Sequence, residues 1–237
     1  MINNEFLSIL KEDKEVFYIY QYGSSVYGVC SENSDIDFLV IVGENFIIPK
    51  EYIKYAYKIE HISEKTICHN LKYNNCDFIF YTINQWFEMI NNNSIETWEC
   101  SSLTGPKNRK YIHKEYVKVP IKLNQVALRK EISTICSNAF SKAKKEFKQN
   151  NYYIGKKSLW HTLRISLFGI QVVENHKIIN YKEANKYYND IVLNPCNDWN
   201  YYEGRYKPIL HNLRSQFRHL TEGKWTQYCI SKYKSNG

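Results

Sequence analysis

The residues best placed to do chemistry in this chain are two aspartates at the head of an apolar run and a glycine-serine pair just before them. Asp35 and Asp37 are two apart where Ile36 to Val42 begins. If that run is a strand, alternation sends both side chains off one face, with Cα atoms roughly 7 Å apart. Carboxylates that close repel one another, and a divalent cation offsets the repulsion. All-oxygen ligation suits Mg²⁺ or Mn²⁺. Two such ions about 4 Å apart can activate an attacking hydroxyl and stabilise a leaving pyrophosphate. A third carboxylate from a neighbouring strand would complete the pair of sites, and Asp77, in the run Cys76 to Thr82, fits that place.

Gly23-Ser24 supplies the other half. Without a Cβ, Gly23 lets backbone approach a phosphate, while Ser24 and the amides of a following helix can donate hydrogen bonds. Gly28 would let that helix pack closely. Taken alone, Asp-x-Asp is common in surface turns, so the weight falls on the joint arrangement.

The elements that must hold these residues follow from periodicity. Phe6 to Lys14 reads as a helix, and Val16 to Tyr22 as a strand stopping at Gly23. Ile36 to Val42 reads as a second strand, and Cys76 to Thr82 as a third, after the turn Asn74-Asn75. Lys50 to Ile59 and Ile83 to Asn91 carry helix-compatible patterns. Beyond Pro120 strand signals nearly vanish, and Gln125 to Gln149, Tyr153 to Glu174, Tyr181 to Ile191 and Lys207 to Leu220 read as helices. Gly105-Pro106 and Pro120 interrupt the periodicity between the two textures. The expected architecture is α+β, a catalytic domain over 1–118 with a mixed sheet and flanking helices, then a helical domain over 119–237.

Gly23-Ser24, then ten residues to Asp35-x-Asp37 opening an apolar strand, then another strand carrying an acid near its start, resembles the DNA polymerase β-like nucleotidyltransferase superfamily. The specific motifs span roughly residues 15 to 85. The resemblance implies two divalent ions and transfer of a nucleoside monophosphate from an NTP. On it, Gly23 and Ser24 contact phosphate, Asp35 and Asp37 ligate metal, and Asp77 is the third carboxylate, assisting the acceptor hydroxyl. The motif around Asp77 is short, and Glu60 and Glu64 are rivals for its role.

In the helical half, Lys157, His161 and Arg164 fall at i, i+4 and i+7 and share a helix face. Leu159, Leu163, Leu167 and Ile170 form a separate apolar stripe. The cationic face could hold triphosphate oxygens, or be an ordinary solvated face. Lys157-x3-His161-x2-Arg164 resembles a helix motif in a bacterial and phage branch of the superfamily associated with RNA ligases, and Phe87 to Pro106 loosely resembles the segment following the third carboxylate there. Trp160 and a shorter apolar continuation depart from that pattern. The resemblance makes Lys157, His161 and Arg164 nucleotide-binding residues. Near the C-terminus His211, Arg214 and Arg218, with Trp199, Tyr201, Tyr202 and Tyr206 upstream, mix cations and aromatics as a single-strand-binding surface does. Aromatics in the core and basic residues in water is the competing account, and the run Lys142 to Lys148 reads as a solvated face.

Composition sets the outer bounds. The chain has 237 residues, 43% hydrophobic and 16% aromatic, which argues against disorder. A formal charge of +8 favours phosphate-bearing partners. Seven cysteines with no Cys-x-x-Cys pair argue against a disulfide framework or a zinc knuckle. Cys68-His69 with Cys76 is the one local cluster, and reduced buried thiols are the preferred account of it. No leader-like or membrane-length apolar run is present, so a soluble cytoplasmic protein is expected. The expected partners are an NTP, ATP in the first instance, and an acceptor hydroxyl on RNA. The alternatives are a protein-modifying nucleotidyltransferase, a small-molecule acceptor, or an inactive RNA- or nucleotide-binding module.

Overall fold

A computed structural model describes residues 5–30, 34–62, 65–103, 111–112 and 120–234, with backbone alone for 59–62, 65–68, 111–112 and 222–234. Gly105-Pro106, His113, Glu64 and the boundary expected at 118 lie outside the described residues, as does the Glu60 side chain. Contacts divide the chain into two units, Met1–Ile90 with Leu103–Pro120, and Asn91–Ser102 with Ile121–Gly237. The second unit thus takes in a segment that precedes the expected boundary.

In the first unit α1 (Glu5–Glu12) leads into β1 (Val16–Tyr22), the single-turn α2 (Ser24–Tyr27) and β2 (Ile36–Val42). There follow a 3₁₀ turn (Lys50–Tyr55), β3 (Ala56–Ile62), β4 (Lys65–Tyr73), β5 (Cys76–Thr82), α3 (Ile83–Asn91) and, after Leu103, the short β6 (Tyr111–Ile112). The six strands form one sheet in the order β3-β4-β5-β2-β1-β6. β2 and β5 run parallel, and the other neighbours antiparallel.

The helix expected over Lys50 to Ile59 is not an α-helix. It forms only as the 3₁₀ turn, and the chain then extends into β3, paired with β4, a strand the periodicity does not announce. Pairing with β4 outweighs the weak helical pattern. The Asn74-Asn75 turn is real, with φ of 47° and 56° at the two positions. Asparagine tolerates that left-handed conformation, and two such residues suit the tight turn of a β4–β5 hairpin.

β2 is buried on both faces, which is why its apolar run is nearly continuous after Asp37. Phe38, Val40 and Val42 pack with Phe6 and Leu10 of α1, and with Phe78 and Phe80 of β5. The rings of Phe38 and Phe78 stack at 5.2 Å, and Phe6 meets Phe78 edge-on at 5.1 Å. Each fully buried ring contributes about 1.5–3 kcal/mol.

The second unit comprises α4 (Ile95–Ser102), α5 (Gln125–Lys148), α6 (Tyr152–Asn175), α7 (Tyr188–Ile191) and α8 (Trp199–Lys234). Asn124 caps α5 by accepting from the amides of Val126 and Ala127, both at 3.1 Å. α6 is buried well beyond its expected stripe, from Leu159 to Val172 with few breaks. Its hydroxyls are satisfied within the helix, Ser158, Thr162 and Ser166 each donating to the carbonyl four residues back. Tyr202 and Tyr206 of α8 are buried, and Tyr202 packs on Phe147 at 5.3 Å. These two rings therefore belong to the core rather than to a base-stacking surface. Lys142, Lys144, Lys145 and Lys148 are exposed. Among the described residues no helix is long and apolar enough to cross a membrane.

Candidate active site

At the end of β1 the chain turns at Gly23 with φ 77° and ψ −156°, a conformation essentially confined to glycine. A second constraint acts at the same position. A Cβ there would lie 1.9 Å from Oδ2 of Asp37, so the backbone runs directly against that carboxylate. The Gly23 carbonyl accepts from the amides of Val26 and Tyr27, which closes α2. Gly28 ends α2 as a left-handed cap with φ 73°. The Ser25 hydroxyl donates to the Tyr22 carbonyl at 3.2 Å and accepts from Gln21 at 3.0 Å. Ser24, half-buried, follows Gly23 and opens α2.

Strand register brings the carboxylates to one face. Asp37 lies directly opposite Asp77 across the parallel β2–β5 pair, and neighbouring strands are about 4.8 Å apart. Asp35 precedes β2 by one residue, two positions from Asp37. Across the other edge of β5, Lys72 of β4 is the partner of Asp77.

The Lys72 ammonium contacts Oδ2 of Asp35 at 2.7 Å. The hydrogen bond to Asp35 and the charge of that carboxylate raise the pKa of Lys72, with further contributions from Asp77 and Asp37. One ammonium thus feels all three carboxylates. Tyr57 of β3 donates its hydroxyl to Asp77, 2.8 Å from Oδ1 and 3.0 Å from Oδ2, while Asn70 donates to the Tyr57 oxygen at 3.3 Å. Burial, then the hydrogen bond to Asp77 and its charge, pushes the Tyr57 phenol up to about 12.

Tyr57, Asn70 and Lys72 are not marked by the sequence pattern, because the strands that carry them are not. With β4 in place the signal is plain, since Leu71 is buried and alternation sends Asn70 and Lys72 to the opposite face. Cys76 is buried in the core with Phe78, and no group of three His, Cys, Asp or Glu side chains is arranged for a metal among the described residues. The donor chemistry at Asp35, Asp37 and Asp77 nonetheless suits a hard divalent ion. Three carboxylates share one face, and the Lys72 ammonium lies against that of Asp35.

The three basic residues singled out on α6 differ among themselves. Lys157 is exposed and lies over the Tyr153 ring at 5.3 Å. Arg164 is buried, and its Nη1 is 3.6 Å from Oε1 of the equally buried Glu99 on α4. Its Nη2 donates to Nδ1 of His161 at 2.7 Å, and its guanidinium stacks on Trp160 and Phe168. Only Lys157 therefore meets the solvated half of the expected cationic face. Glu99 was not visible from spacing, since its partner lies more than sixty residues away.

Burial first, then the charges of Arg164 and Lys142, lowers the pKa of His161 to about 3. An arginine donates only, so the imidazole is neutral with its proton on Nε2. Between pH 6.5 and 3 the unfolded chain binds a proton that the folded chain does not. His161 therefore contributes stability above pH 6.5 that is lost as pH falls, about 2 kcal/mol by pH 5. Thermal unfolding of the wild type and His161→Gln at pH 7 and pH 5 should show a smaller fall in the variant. Equal falls in both would contradict the assignment.

Residues 4–94 match the family model described as Polymerase beta, Nucleotidyltransferase. That segment contains Gly23, Ser24, Asp35, Asp37, Asp77 and the strands that align them. The fold is accordingly α+β of the nucleotidyltransferase type, followed by a helical region. No curated protein matches the chain. Among solved structures, a nucleotidyltransferase-like protein from Exiguobacterium sibiricum 255-15 is similar at 11% identity, over 92% of this chain and 72% of that one, with a TM-score of 0.27. So slight a likeness adds nothing on function.

Proposed function

We propose that this chain is a metal-dependent nucleotidyltransferase that moves a nucleoside monophosphate, AMP, from ATP to a hydroxyl acceptor on RNA. The observation that carries the reading is the register of Asp37 opposite Asp77, with the Gly23 turn pressed against Asp37. Asp35, Asp37 and Asp77 would hold Mg²⁺ or Mn²⁺, which when bound polarises phosphoryl oxygens and neutralises charge on the departing pyrophosphate. Gly23 admits phosphate to the backbone, and the Ser24 hydroxyl donates to it. Asp77 orients the acceptor hydroxyl, with Tyr57 fixing its carboxylate. Lys72, which lies against Asp35, would offer its ammonium to the nucleotide phosphates. Lys157 is the nucleotide-binding residue that the resemblance implies for α6, and Arg164, bonded to His161 and paired with Glu99, holds that helix. The net charge of +8 supports a polyanionic acceptor and agrees with the resemblance to the RNA-ligase-associated branch.

The test is incubation with each α-labelled NTP, Mg²⁺ or Mn²⁺ and total cell extract, followed by separation of RNA, protein and small molecules. Label from ATP on RNA is expected. Label on protein or on a small molecule would replace the acceptor, and no label under any combination would leave a nucleotide-binding module. Gly23→Ala should cut transfer by roughly 10²-fold, because the new methyl displaces Asp37, and a misplacement of about 1 Å at a reacting centre costs that much. Its kcat should fall while thermal stability drops by only about 1–3 kcal/mol.

A further inference from the structure

The helical unit contains a cavity of about 280 Å³ between α5 and α8. Its lining follows from helical spacing. Arg129, Ser133 and Ser137 stand at i, i+4 and i+8 on α5, while Arg214 and Arg218 stand at i and i+4 on α8. Ile132, Cys136 and Phe217 complete the lining. All three are buried, and the Cys136 thiol contacts the Ser166 hydroxyl at 3.3 Å, so the floor is closed by α6.

Among the described residues that line it are three arginines and two serines, and no carboxylate. Like charges brought together in this way repel unless an anion is shared among them. A second observation comes from Arg214, whose Nε is buried without a hydrogen-bond partner. Leaving such a donor unsatisfied is costly, more so on a charged group, and buried donors normally have an acceptor. Planar guanidinium forks match the oxygens of phosphate, and serine hydroxyls supply further donors. The volume is below the roughly 300–1,000 Å³ of sites for drug-sized molecules, so it suits a phosphate or diphosphate group rather than a whole nucleotide.

We propose that this α5–α8 cavity is a phosphate-binding site, separate from the carboxylate site on the sheet, which takes a terminal or bridging phosphate group between Arg129, Arg214 and Arg218. The site is independent of whether the carboxylates turn over a nucleotide. Its occupant is either a free small phosphate or a phosphate of an oligonucleotide, and the guanidiniums recognise the same group in both.

The test uses the full chain in excess EDTA, which silences metal-dependent binding at the carboxylates. Calorimetric titrations with inorganic phosphate, pyrophosphate, and a short single-stranded oligoribonucleotide with and without a 5′-phosphate should show saturable binding of at least one. Arg214→Gln should weaken that binding at least tenfold. Arg218→Gln, at an exposed position, and Ser137→Leu, which fills the cavity from its rim, carry the test if Arg214→Gln fails to fold. Preference for the 5′-phosphorylated oligonucleotide identifies a chain end, equal binding of both oligonucleotides a backbone phosphate, and binding of phosphate or pyrophosphate alone a small anion. No saturable binding by any probe overturns the site, and so does binding that Arg218→Gln and Ser137→Leu leave unchanged.

Discussion

Asp37→Asn is expected to lower nucleotidyl transfer by at least ~10³-fold while the chain stays folded. Removing one neutral hydrogen-bond donor to a developing charge already costs about 10²–10³ in kcat, and a carboxylate that holds a divalent ion supplies more. Asp37 is the carboxylate most tightly framed by its surroundings, with Asp77 directly across the parallel pair and the Gly23 backbone against its Oδ2. Asparagine keeps the volume and removes the charge, so the Gly23 turn has no reason to move. The measurement is labelled-ATP transfer with Mg²⁺ and with Mn²⁺, beside thermal unfolding. Wild-type transfer by the asparagine variant would mean that Asp37 holds no catalytic ion, and the proposed reaction would fall with it.

The largest effect on stability is expected at Glu99. Glu99→Ala should destabilise the helical unit by about 3–5 kcal/mol, because it leaves the Arg164 guanidinium buried without its counter-ion. The side chains of Glu99 and Arg164 are 5% and 7% exposed, too little for water to take the missing partner's place. His161 does not compensate, since it accepts one hydrogen bond as a neutral ring. For a chain of this size the midpoint should fall by roughly 10 °C in the transition that reports the helices. Replacing both residues, as Glu99→Leu with Arg164→Leu, should recover much of the loss, since a buried ion pair gives little net gain over apolar packing. A fall below about 2 °C for Glu99→Ala would show that the pair contributes nothing to the fold.

The α+β class was legible from residues alone, and physical reasons explain which details were not. β1, β2 and β5 have apolar runs with glycine or asparagine turns beside them, so period and punctuation agree. β3 and β4 have no such agreement. Their residues alternate only once each strand has a partner, and the stretch before them also satisfies a helical spacing. Lys72 and Tyr57 sit on those two strands, so the groups that touch Asp35 and Asp77 went unread together with the strands. Likewise the spacing of Lys157, His161 and Arg164 was visible, but their burial was not. Spacing along one helix cannot report Glu99, which arrives from α4. Periodicity marks only the middle of α8, Lys207 to Leu220, and the structure carries the helix through Pro208.

The parallel pairing of β2 with β5 also bears on the order in which the sheet assembles. The β3–β4 and β4–β5 hairpins close over short loops, whereas Ile36 must find Cys76 across the whole intervening chain. Ring closure over that distance costs entropy before any strand hydrogen bond returns it, and non-local pairings of this kind slow folding. Asp37 and Asp77 are therefore expected to meet after the hairpin supporting Asp77 has formed. Their mutual repulsion is met late, by a chain already held together elsewhere, and substitutions that relieve it should alter the unfolding rate more than the folding rate.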